Sequence, residues 1–549
     1  MKARRRTNWV KGIICRIVTA IVVYLLVAAL DYFALPAKSL NSEGFWWFVF
    51  ALSAIGLVGF GIVEDLLDDG MRVPTIVCGC LGVIFLLTLG IISLINCEMF
   101  HAYDYRSRVI IEEGDFATEV ISANDELSIV DVVTARKLGD RTIAQVENSM
   151  WYDVSDEYNL ICYKGEYYRI SPLNYGGLAK YWRAANSTGI PGYVMVNAKT
   201  QEATFVELDE HYYLSPSGYF GNNLTRHLRN QYPALVFGTS FFEIDDEGHP
   251  YWITAVKDHT LGLWSCKVEK RFVITDATSG ESVLYETEGL PGWVDHAFDL
   301  EYLMDVTTDN FKYVKGFWNA QFSKTGVQKL SYNYKDDSFA GYNSTITANG
   351  EVVFFTGVTP ANRSESIYGF VQLSPRTGKV KFYACTGAEE SSAQIAAEGL
   401  ITNFNYSANY PSVVNVEGIP TYFMALKDVG GLVQRYALVN IQNYAIAVED
   451  TTIEGAISKY LAKMNREDIV PEVAQFKTQP KTGVISNIFE AQIDGYTYYY
   501  FILEGEDGIY VSSITNGHRQ VTLQSGTEVT IEYYPAEETS VLMVTNIQF

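Results

Sequence analysis

The chain has 549 residues, a hydrophobic content of 48% and a formal net charge of −23. This length predicts about three or four domains of roughly 150 residues each. The acidic balance disfavours binding to nucleic acid and to anionic lipid, and it favours cations or basic partners.

Three apolar runs lie within the first 96 residues: Ile17–Leu35, Phe45–Val63 and Thr75–Ile95. Each run has 19 to 21 residues. At a rise of 1.5 Å per residue, a helix of that length spans roughly 30 Å, the thickness of the hydrocarbon core of a bilayer. Residues 1–96 are therefore predicted to be a membrane anchor with three transmembrane helices.

The flanking charges predict the orientation of these helices. Residues 1–16 contain six Lys and Arg and no acidic residue, whereas the loop after the second run is acidic. Because Lys and Arg are retained on the cytoplasmic side, the N-terminus is expected in the cytoplasm. Three crossings then place residues 97–549 outside the cell, as the ectodomain of a multi-pass cell membrane protein. That region holds 33 basic and 58 acidic residues, a net charge of −25.

Cysteine residues are few and scattered in the expected ectodomain. Only Cys162, Cys266 and Cys385 lie beyond the last apolar run and its flank. Three isolated thiols do not form a disulfide framework, which suits the envelope of a Gram-positive bacterium better than a eukaryotic secreted protein.

The ectodomain sequence contains an internal repeat. Glu247–Asp258 aligns with Glu417–Asp428 at a shift of 170 positions, and six of the twelve residues are identical. Upstream, Gly192–Thr200 aligns with Gly369–Thr377 at a shift of 177. The matches keep the same order, and their shifts drift as loop insertions would make them. We therefore predict a tandem duplication in which each half contains two similar sub-units.

The local patterns of the repeat predict an α+β fold. A short helix is followed by aromatic and β-branched strands with Gly-centred turns, which is typical of antiparallel sheet half-buried under a helix. Residues 451–464 are expected to form a closing amphipathic helix, with Thr451 and Glu454 as its capping box. The predicted divisions are a connector (97–149), a first duplicated unit (150–300), a linker (301–334) and a second duplicated unit (335–465).

The last segment, residues 480–549, predicts a small β-barrel. Five short strands are expected, and a Gly526 turn precedes the fourth. This arrangement is typical of an OB-like Greek-key barrel, although a plain five-stranded β-domain fits the pattern equally well. The strands are expected at Gly483–Ile493, Tyr496–Leu503, Gly508–Ile514, Glu528–Tyr534 and Val541–Ile547.

The helix-and-three-strand unit and the turn Asp276–Glu281 resemble the PepSY-type modules of bacterial envelope proteins. Two other sequence segments, Asp131–Asp140 and Gly292–His296, are similar to segments of an uncharacterised multi-pass membrane family of Gram-positive bacteria. The first resemblance implies an extracellular α+β module that is associated with regulation of peptidases. The second supports an envelope location and implies no catalytic residue.

The sequence contains no recognisable catalytic or metal-binding motif. It has no G-x-S-x-G nucleophile elbow, and its seven His form no H-x-x-x-H or H-E-x-x-H pair. The acidic turn Asp245–Gly248 lacks the spaced ligands of a calcium loop. We therefore predict a non-enzymatic protein without a cofactor or metal.

The leading hypothesis is a membrane-anchored surface protein whose duplicated ectodomain binds an envelope protein or peptide. The alternatives are binding of a cell-wall polymer or carbohydrate, and regulation of an envelope peptidase. The candidate binding residues recur in both halves, although a buried salt bridge or a strand-end turn explains them equally well. They are Trp252, Lys257 and Asp258, with the counterparts Tyr422, Lys427 and Asp428.

Overall fold

The computed structural model describes most of the chain, from the membrane anchor to the last strand. The described ranges are 2–67, 72–123, 127–145, 149–186, 188–331, 341–361, 366–466, 479–493, 496–506, 508–513, 522–533 and 541–549.

The α-helices of these ranges are numbered in chain order. They are α1 (Lys2–Ala34), α2 (Glu43–Leu67), α3 (Val73–Ile95), α4 (Glu98–Arg106), α5 (Phe116–Glu119), α6 (Val132–Thr142), α7 (Leu178–Ala185), α8 (Leu224–Gln231), α9 (Leu300–Lys312), α10 (Gly316–Trp318), α11 (Glu390–Gly399) and α12 (Ile453–Arg466).

The strands precede, separate and follow the later helices. They are β1 (Ile111–Glu113), β2 (Tyr152–Val154), β3 (Asn159–Tyr163), β4 (Glu166–Tyr175), β5 (Ile190–Asn197), β6 (Ala203–Tyr212), β7 (Phe237–Ile244), β8 (Pro250–Leu261), β9 (Ser265–Asp276), β10 (Ser282–Glu286), β11 (Gln328–Leu330), β12 (Asn343–Ile346), β13 (Val352–Pro360), β14 (Ser366–Leu373), β15 (Val380–Ala388), β16 (Ser407–Ala408), β17 (Ser412–Val416), β18 (Ile419–Lys427), β19 (Val433–Asn440), β20 (Ala447–Asp450), β21 (Gln479–Ile493), β22 (Tyr496–Leu503), β23 (Ile509–Ser513), β24 (Glu528–Tyr533) and β25 (Val541–Gln548).

Three N-terminal helices are long and apolar enough to cross a membrane, as predicted. The candidate spans are Gly12–Ala34, Glu43–Leu66 and Val73–Ile95. Proline marks two of the boundaries: Pro36 follows α1, and Pro74 lies in the first turn of α3, where its missing N–H has no helical partner to lose. The three helices pack side by side in the order of the sequence, with α2 between α1 and α3.

Residues 152–450 form four antiparallel sheets, and β1, earlier in the chain, adds one parallel strand to the third. Sheet 1 has the order β2-β4-β5-β6 with β3 also on β4, and sheet 2 has the order β10-β9-β8-β7. Sheet 3 is β1-β15-β14-β13-β11 with β12 also on β13, and sheet 4 is β16-β18-β19-β20 with β17 also on β18. A helix precedes each sheet in the chain: α6, α8, α9 and α11. The predicted α+β mixture is therefore confirmed.

The aligned sequence segments lie on strands with corresponding positions. Strand β8 lies between its two neighbours in sheet 2, as β18 does in sheet 4. Strand β5 lies in the interior of sheet 1, as β14 does in sheet 3.

Shared hydrophobic cores join the four sheets. One core combines residues of sheets 1, 2 and 4 with α6, α8 and α12. Another lies between sheets 3 and 4 under α11, and a third lies between sheets 2 and 3 beside α9. Burial of these apolar faces, which is the main force that stabilises a folded domain, joins each sheet to its neighbours.

Two segments that the sequence suggested as connections are packed parts of the fold. In the expected connector, β1 adds a parallel strand to β15, and α6 packs on β5 and β6. The expected linker contains α9, whose apolar side enters the core between sheets 2 and 3. Both segments carry buried apolar residues, so they are integral to the sheets that follow them.

The cap of α12 differs from the prediction. The hydroxyl of Thr452, not that of Thr451, accepts the N–H of Gly455 at 3.1 Å. The carboxylate of Asp450 accepts the N–H of Thr452 and the hydroxyl of Thr451, which moves the helix start one residue later.

The C-terminal strands close into a barrel with the order β21-β22-β23-β25-β24. Neighbouring strands are antiparallel except for β23 and β25, which are parallel. Strand β22 has the bounds that were predicted, and the other four agree within a few residues. The barrel has its own core, which includes Ile485, Phe501 and Ile531.

Candidate functional site

The membrane helices and the sheets meet at a defined docking surface. The backbone N–H of Lys38, in the loop between α1 and α2, donates to the carbonyl of Pro233 at 2.7 Å. From α8, Arg226 donates to the carbonyl of Tyr32 and stacks on its ring at 3.8 Å, while Arg229 donates to the carbonyl of Leu35. The four-sheet region therefore contacts the end of the bundle opposite the basic N-terminus of α1.

The β8–β9 hairpin makes a second set of contacts with the same end of the bundle. The ring of Trp264 lies 5.9 Å from that of Trp46 at the start of α2. A Cβ on Gly262, which has a φ of +58°, would clash with Asn96 just after α3, so close approach and backbone conformation both favour glycine here. All three membrane helices thus contact sheet 2 or α8.

A cavity lies within this docking surface. Its volume is about 120 Å³, and the α1–α2 loop forms one wall while the segment 234–236 and strands β8 and β9 form the other. The polar side chains that line it are Ser39, Asn41, Lys257, Asp258, His259 and Arg271.

The charges of the cavity are partly paired. Asp258 accepts two hydrogen bonds from Arg271, one of them at 3.0 Å to Nε, so these two charges compensate each other. Lys257 forms no ion pair with a carboxylate of the described residues. Burial and the nearby charge of Lys267 lower the pKa of His259, whose Nδ1 is buried without a partner among those residues. Lys257 lies opposite the buried Glu269, and its charge counteracts the rise that burial gives to the pKa of that carboxyl. Lys257 is therefore the cation of the cavity that no hydrogen-bonded carboxylate among the described residues compensates.

Further positive charge surrounds the cavity. Arg229 donates to the carbonyls of Pro233 and Leu235, and Leu235 is part of the cavity wall. In the described part of the chain, neither Arg226 nor Arg229 pairs with a carboxylate. The docking surface is thus locally basic within a region whose net charge is −25.

The structure separates the six candidate residues of the sequence into different roles. Lys257 and Asp258 line the cavity. Trp252 and Tyr422 have exposures of 2% and 0%, and they donate hydrogen bonds to the carbonyls of Leu214 and Ala388. These two aromatic side chains pack in the core and do not reach the surface.

The counterparts in sheet 4, Lys427 and Asp428, make contacts that stabilise the fold. Lys427 forms a buried ion pair with Asp131 at 2.6 Å, and Asp131 also accepts the N–H of Thr134 at the start of α6. Asp428 accepts the N–H of Leu432 in the turn between β18 and β19. A buried salt bridge and a strand-end turn therefore account for the second copy, as one reading of the sequence expected.

Sequence reasoning missed a buried cluster of acidic groups between sheets 1 and 2. Glu243 on β7 accepts the backbone N–H of His296 at 3.0 Å and contacts its ring, and Asp295 accepts the N–H of Cys162 at 2.7 Å. Burial raises the pKa of Glu243 well above its usual value and that of Asp295 to about 7, and it lowers the pKa of His296 to about 4. Asp295 and His296 lie in the segment Gly292–His296, which stood out in the sequence as a resemblance to a membrane family and not as a buried polar cluster.

The three thiols in the four-sheet region have no activating environment. Burial raises the pKa of Cys385 to about 12, and it also raises the pKa of Cys162 and Cys266. Thiol groups in such surroundings remain protonated and poorly nucleophilic. Among the described residues, no group of three or more His, Cys, Asp and Glu could hold a metal ion.

In comparisons with known proteins, no protein-family model and no curated sequence matches the chain.

Proposed function

We propose that the chain is a non-enzymatic cell-surface protein that is anchored in the cytoplasmic membrane and binds an envelope protein or peptide. The proposal depends on one observation, the docking of sheet 2 and α8 at the end of the bundle opposite the basic N-terminus. Because the Lys and Arg before the first span stay in the cytoplasm, this docking supports an extracellular position for residues 97–549.

The open edge of sheet 1 offers a place for an extended peptide. Strand β6 has ten residues and, in the described part of the chain, pairs with β5 alone. Its exposed side chains include Glu207 and Asp209. A partner strand could add to this edge through main-chain hydrogen bonds, and the carboxylates favour a peptide with basic side chains.

The proposed modules are of the PepSY type, and the two halves are proposed to be a tandem duplication. Each of the four sheets follows a helix and contains antiparallel strands, which supports the resemblance drawn from the turn Asp276–Glu281. The resemblance to an envelope family of Gram-positive bacteria belongs to the same proposal. Likeness of fold alone does not assign a function, so the partner is inferred from the edge of β6.

Capture of the partner tests this function. Detergent-solubilised full-length protein is mixed with cell-envelope extract, and the bound proteins and peptides are identified. The wild type should retain a specific partner, and the double variant Glu207→Lys with Asp209→Lys should lose it. The matched control, Glu281→Lys with Glu288→Lys beside the edge of sheet 2, should retain it. Recovery of no specific partner under several salt conditions would contradict the proposal.

A second candidate function, binding of a cell-wall polymer, is favoured by one feature of the barrel. Phe489 is 62% exposed and lies opposite Tyr500 across strands β21 and β22. We infer that the barrel is of the OB type, since its strand order and its parallel β23–β25 pair support that assignment. Such barrels bind oligosaccharides on the sheet that contains the second strand.

Sedimentation with purified wall polymer tests this second candidate. The full-length protein should sediment with the polymer, and Phe489→Ala should weaken its binding severalfold, because a sugar ring would lose its stacking surface. Equal binding by a chain without residues 480–549 would exclude the barrel as the polymer-binding domain.

A further inference from the structure

The cavity between the α1–α2 loop and sheet 2 lies at the level of the lipid headgroups. The first membrane span ends at Ala34 and the second begins at Glu43. The loop between them places Ser39 and Asn41 in the cavity wall. A loop that joins two spans lies at the membrane–water boundary on either side of the bilayer. Lipid headgroups are therefore the neighbours of this cavity.

The charge at this position suits an anion. Lys257 lines the cavity without a hydrogen-bonded carboxylate among the described residues, although its charge also acts on the buried Glu269. Arg226 and Arg229 of α8 have only carbonyl oxygens as hydrogen-bond partners in those residues, and one partner of Arg229 is Leu235 of the cavity wall. Lys and Arg near a membrane surface attract anionic lipids. This local charge contrasts with the net negative charge of the region beyond the membrane helices. An anionic lipid, which the surface as a whole is expected to repel, is attracted at this one place.

The size of the cavity selects a compact group. Its volume is about 120 Å³. Pockets for drug-sized ligands are larger, roughly 300–1,000 Å³. Six polar side chains converge on the space, among them the ammonium group of Lys257 and the guanidinium group of Arg271. A phosphate group matches both the size and the charge.

Exposed aromatic residues lie near the ends of two membrane helices, α1 and α3. Trp182 and Phe220 are 61% and 47% exposed and contact each other close to the end of α1. Tyr103 of α4 and Trp318 of α10 are 78% and 60% exposed, and α10 packs on α4 immediately after the third span. Trp and Tyr are enriched at the level of the headgroups, so this face is suited to contact with the membrane.

We propose that the cavity binds the phosphate of an anionic phospholipid in the adjoining leaflet. Lys257 supplies the charge, Arg271 stays paired with Asp258, and Ser39 and Asn41 supply hydrogen bonds from the loop between the spans. The acyl chains lie along the membrane helices. Bound lipid thereby fixes the angle between the four sheets and the membrane. The inference goes beyond the proposed function and is independent of which leaflet adjoins the cavity.

Lipid-dependent stabilisation of the full-length protein in detergent tests the proposal. The probes are short-chain phosphatidylglycerol, short-chain phosphatidylcholine and inorganic phosphate, and the thermal midpoint is followed against the concentration of each probe. A ligand that binds only the folded state raises the midpoint in proportion to its affinity. Phosphatidylglycerol should raise the midpoint, whereas phosphatidylcholine and inorganic phosphate should do so only at much higher concentrations.

Variants locate the effect in the cavity. Lys257→Gln should weaken binding of phosphatidylglycerol about tenfold, the value of one charge-assisted hydrogen bond. Asn41→Asp, which keeps the shape and adds a negative charge, should weaken it similarly. Lys270→Gln, an exposed change on the same strand as Arg271, is the matched control and should bind as the wild type does.

Three outcomes would overturn the proposal. Equal stabilisation by the two lipids, which both carry a phosphate, would show that the site does not distinguish an anionic headgroup from a zwitterionic one. Stabilisation by inorganic phosphate at the same concentration as phosphatidylglycerol would assign the cavity to a free anion. Wild-type affinity in both Lys257→Gln and Asn41→Asp would place the lipid elsewhere.

Discussion

At Lys427, a single buried ammonium group ties sheet 4 to α6 through Asp131, 296 positions earlier in the chain. The pair is 2.6 Å long and its side chains are only 10% and 19% exposed. The energetic cost of breaking such a pair arises mainly from the charge that is left buried without a partner.

Lys427→Met should therefore destabilise the protein by about 3–5 kcal/mol. Adding Asp131→Asn should restore part of that loss, since the neutral amide still caps α6 and no buried charge remains. Urea unfolding in detergent measures both changes. Lys459→Ala, which removes a solvent-exposed pair with Asp450, should destabilise the protein much less, because water screens that pair. Equal losses in Lys427→Met and Lys459→Ala would contradict the role assigned to the buried pair.

The pKa of Asp295 gives a pH dependence with a definite sign. Burial, reinforced by the charge of Glu243, raises this pKa from 3.8 to about 7 in the folded protein. Between these values the native state binds more protons than the unfolded state, so the contribution to stability is complete below pH 3.8 and is lost as the pH rises through 7.

Asp295→Asn should remove this dependence. The amide oxygen can still accept the N–H of Cys162, and the side chain cannot ionise. Relative to the wild type, the variant should gain about 2 kcal/mol between pH 5.5 and pH 8, since one pKa unit corresponds to about 1.4 kcal/mol. His296 titrates in both proteins, so its opposite contribution cancels in the comparison of urea-unfolding curves. A difference that stays constant from pH 5.5 to 8 would contradict the raised pKa.

At the scale of single elements, much of the structure followed from local patterns. Strand β22 was predicted with its observed bounds because a run of aromatic and β-branched residues between turn residues favours a strand. The short helix that the repeat pattern predicts at Leu224–Asn230, before sheet 2, lies at Leu224–Gln231. The β1 strand was missed, since three residues with a partner 269 positions away in sequence carry no local signal.

The barrel is expected to fold without help from the four sheets. Its buried residues form a separate core, and in the described residues no hydrophobic cluster joins it to sheets 1–4. A chain that ends after residue 466 should therefore unfold thermally within a few degrees of the full-length protein. Calorimetry of the two proteins in the same detergent measures this. A fall of ten degrees or more would mean that the barrel stabilises the sheets.

At the scale of the whole molecule, the sequence predicted the membrane helices and the sheets but not the contacts between them. Long apolar runs and flanking charges depend only on local composition, so the three membrane helices could be found without a fold. The cavity joins Ser39 to Arg271, and the Trp46–Trp264 contact joins residues more than 200 positions apart. Only the packing of sheet 2 on the bundle brings such residues together, and no periodic pattern encodes it.

The two copies of the aligned segment illustrate the same limit. Lys257–Asp258 and Lys427–Asp428 are identical dipeptides, although β8 continues to Leu261 and β18 ends at Lys427. Lys257 and Asp258 face the docking surface because sheet 2 contacts the membrane helices. Lys427 is paired with Asp131 before α6, and Asp428 accepts a hydrogen bond within its own turn. The environment of each sheet, rather than the repeated residues, decides which copy is available to a ligand.

Cysteine labelling of intact cells tests the proposed orientation most directly. In a background without reactive native thiols, Val429→Cys on the exposed turn of sheet 4 and Arg72→Cys before α3 are treated with a membrane-impermeant maleimide. We expect labelling of Val429→Cys on intact cells and of Arg72→Cys only after permeabilisation. Labelling of Arg72→Cys alone on intact cells would place the four sheets in the cytoplasm and contradict the proposed function.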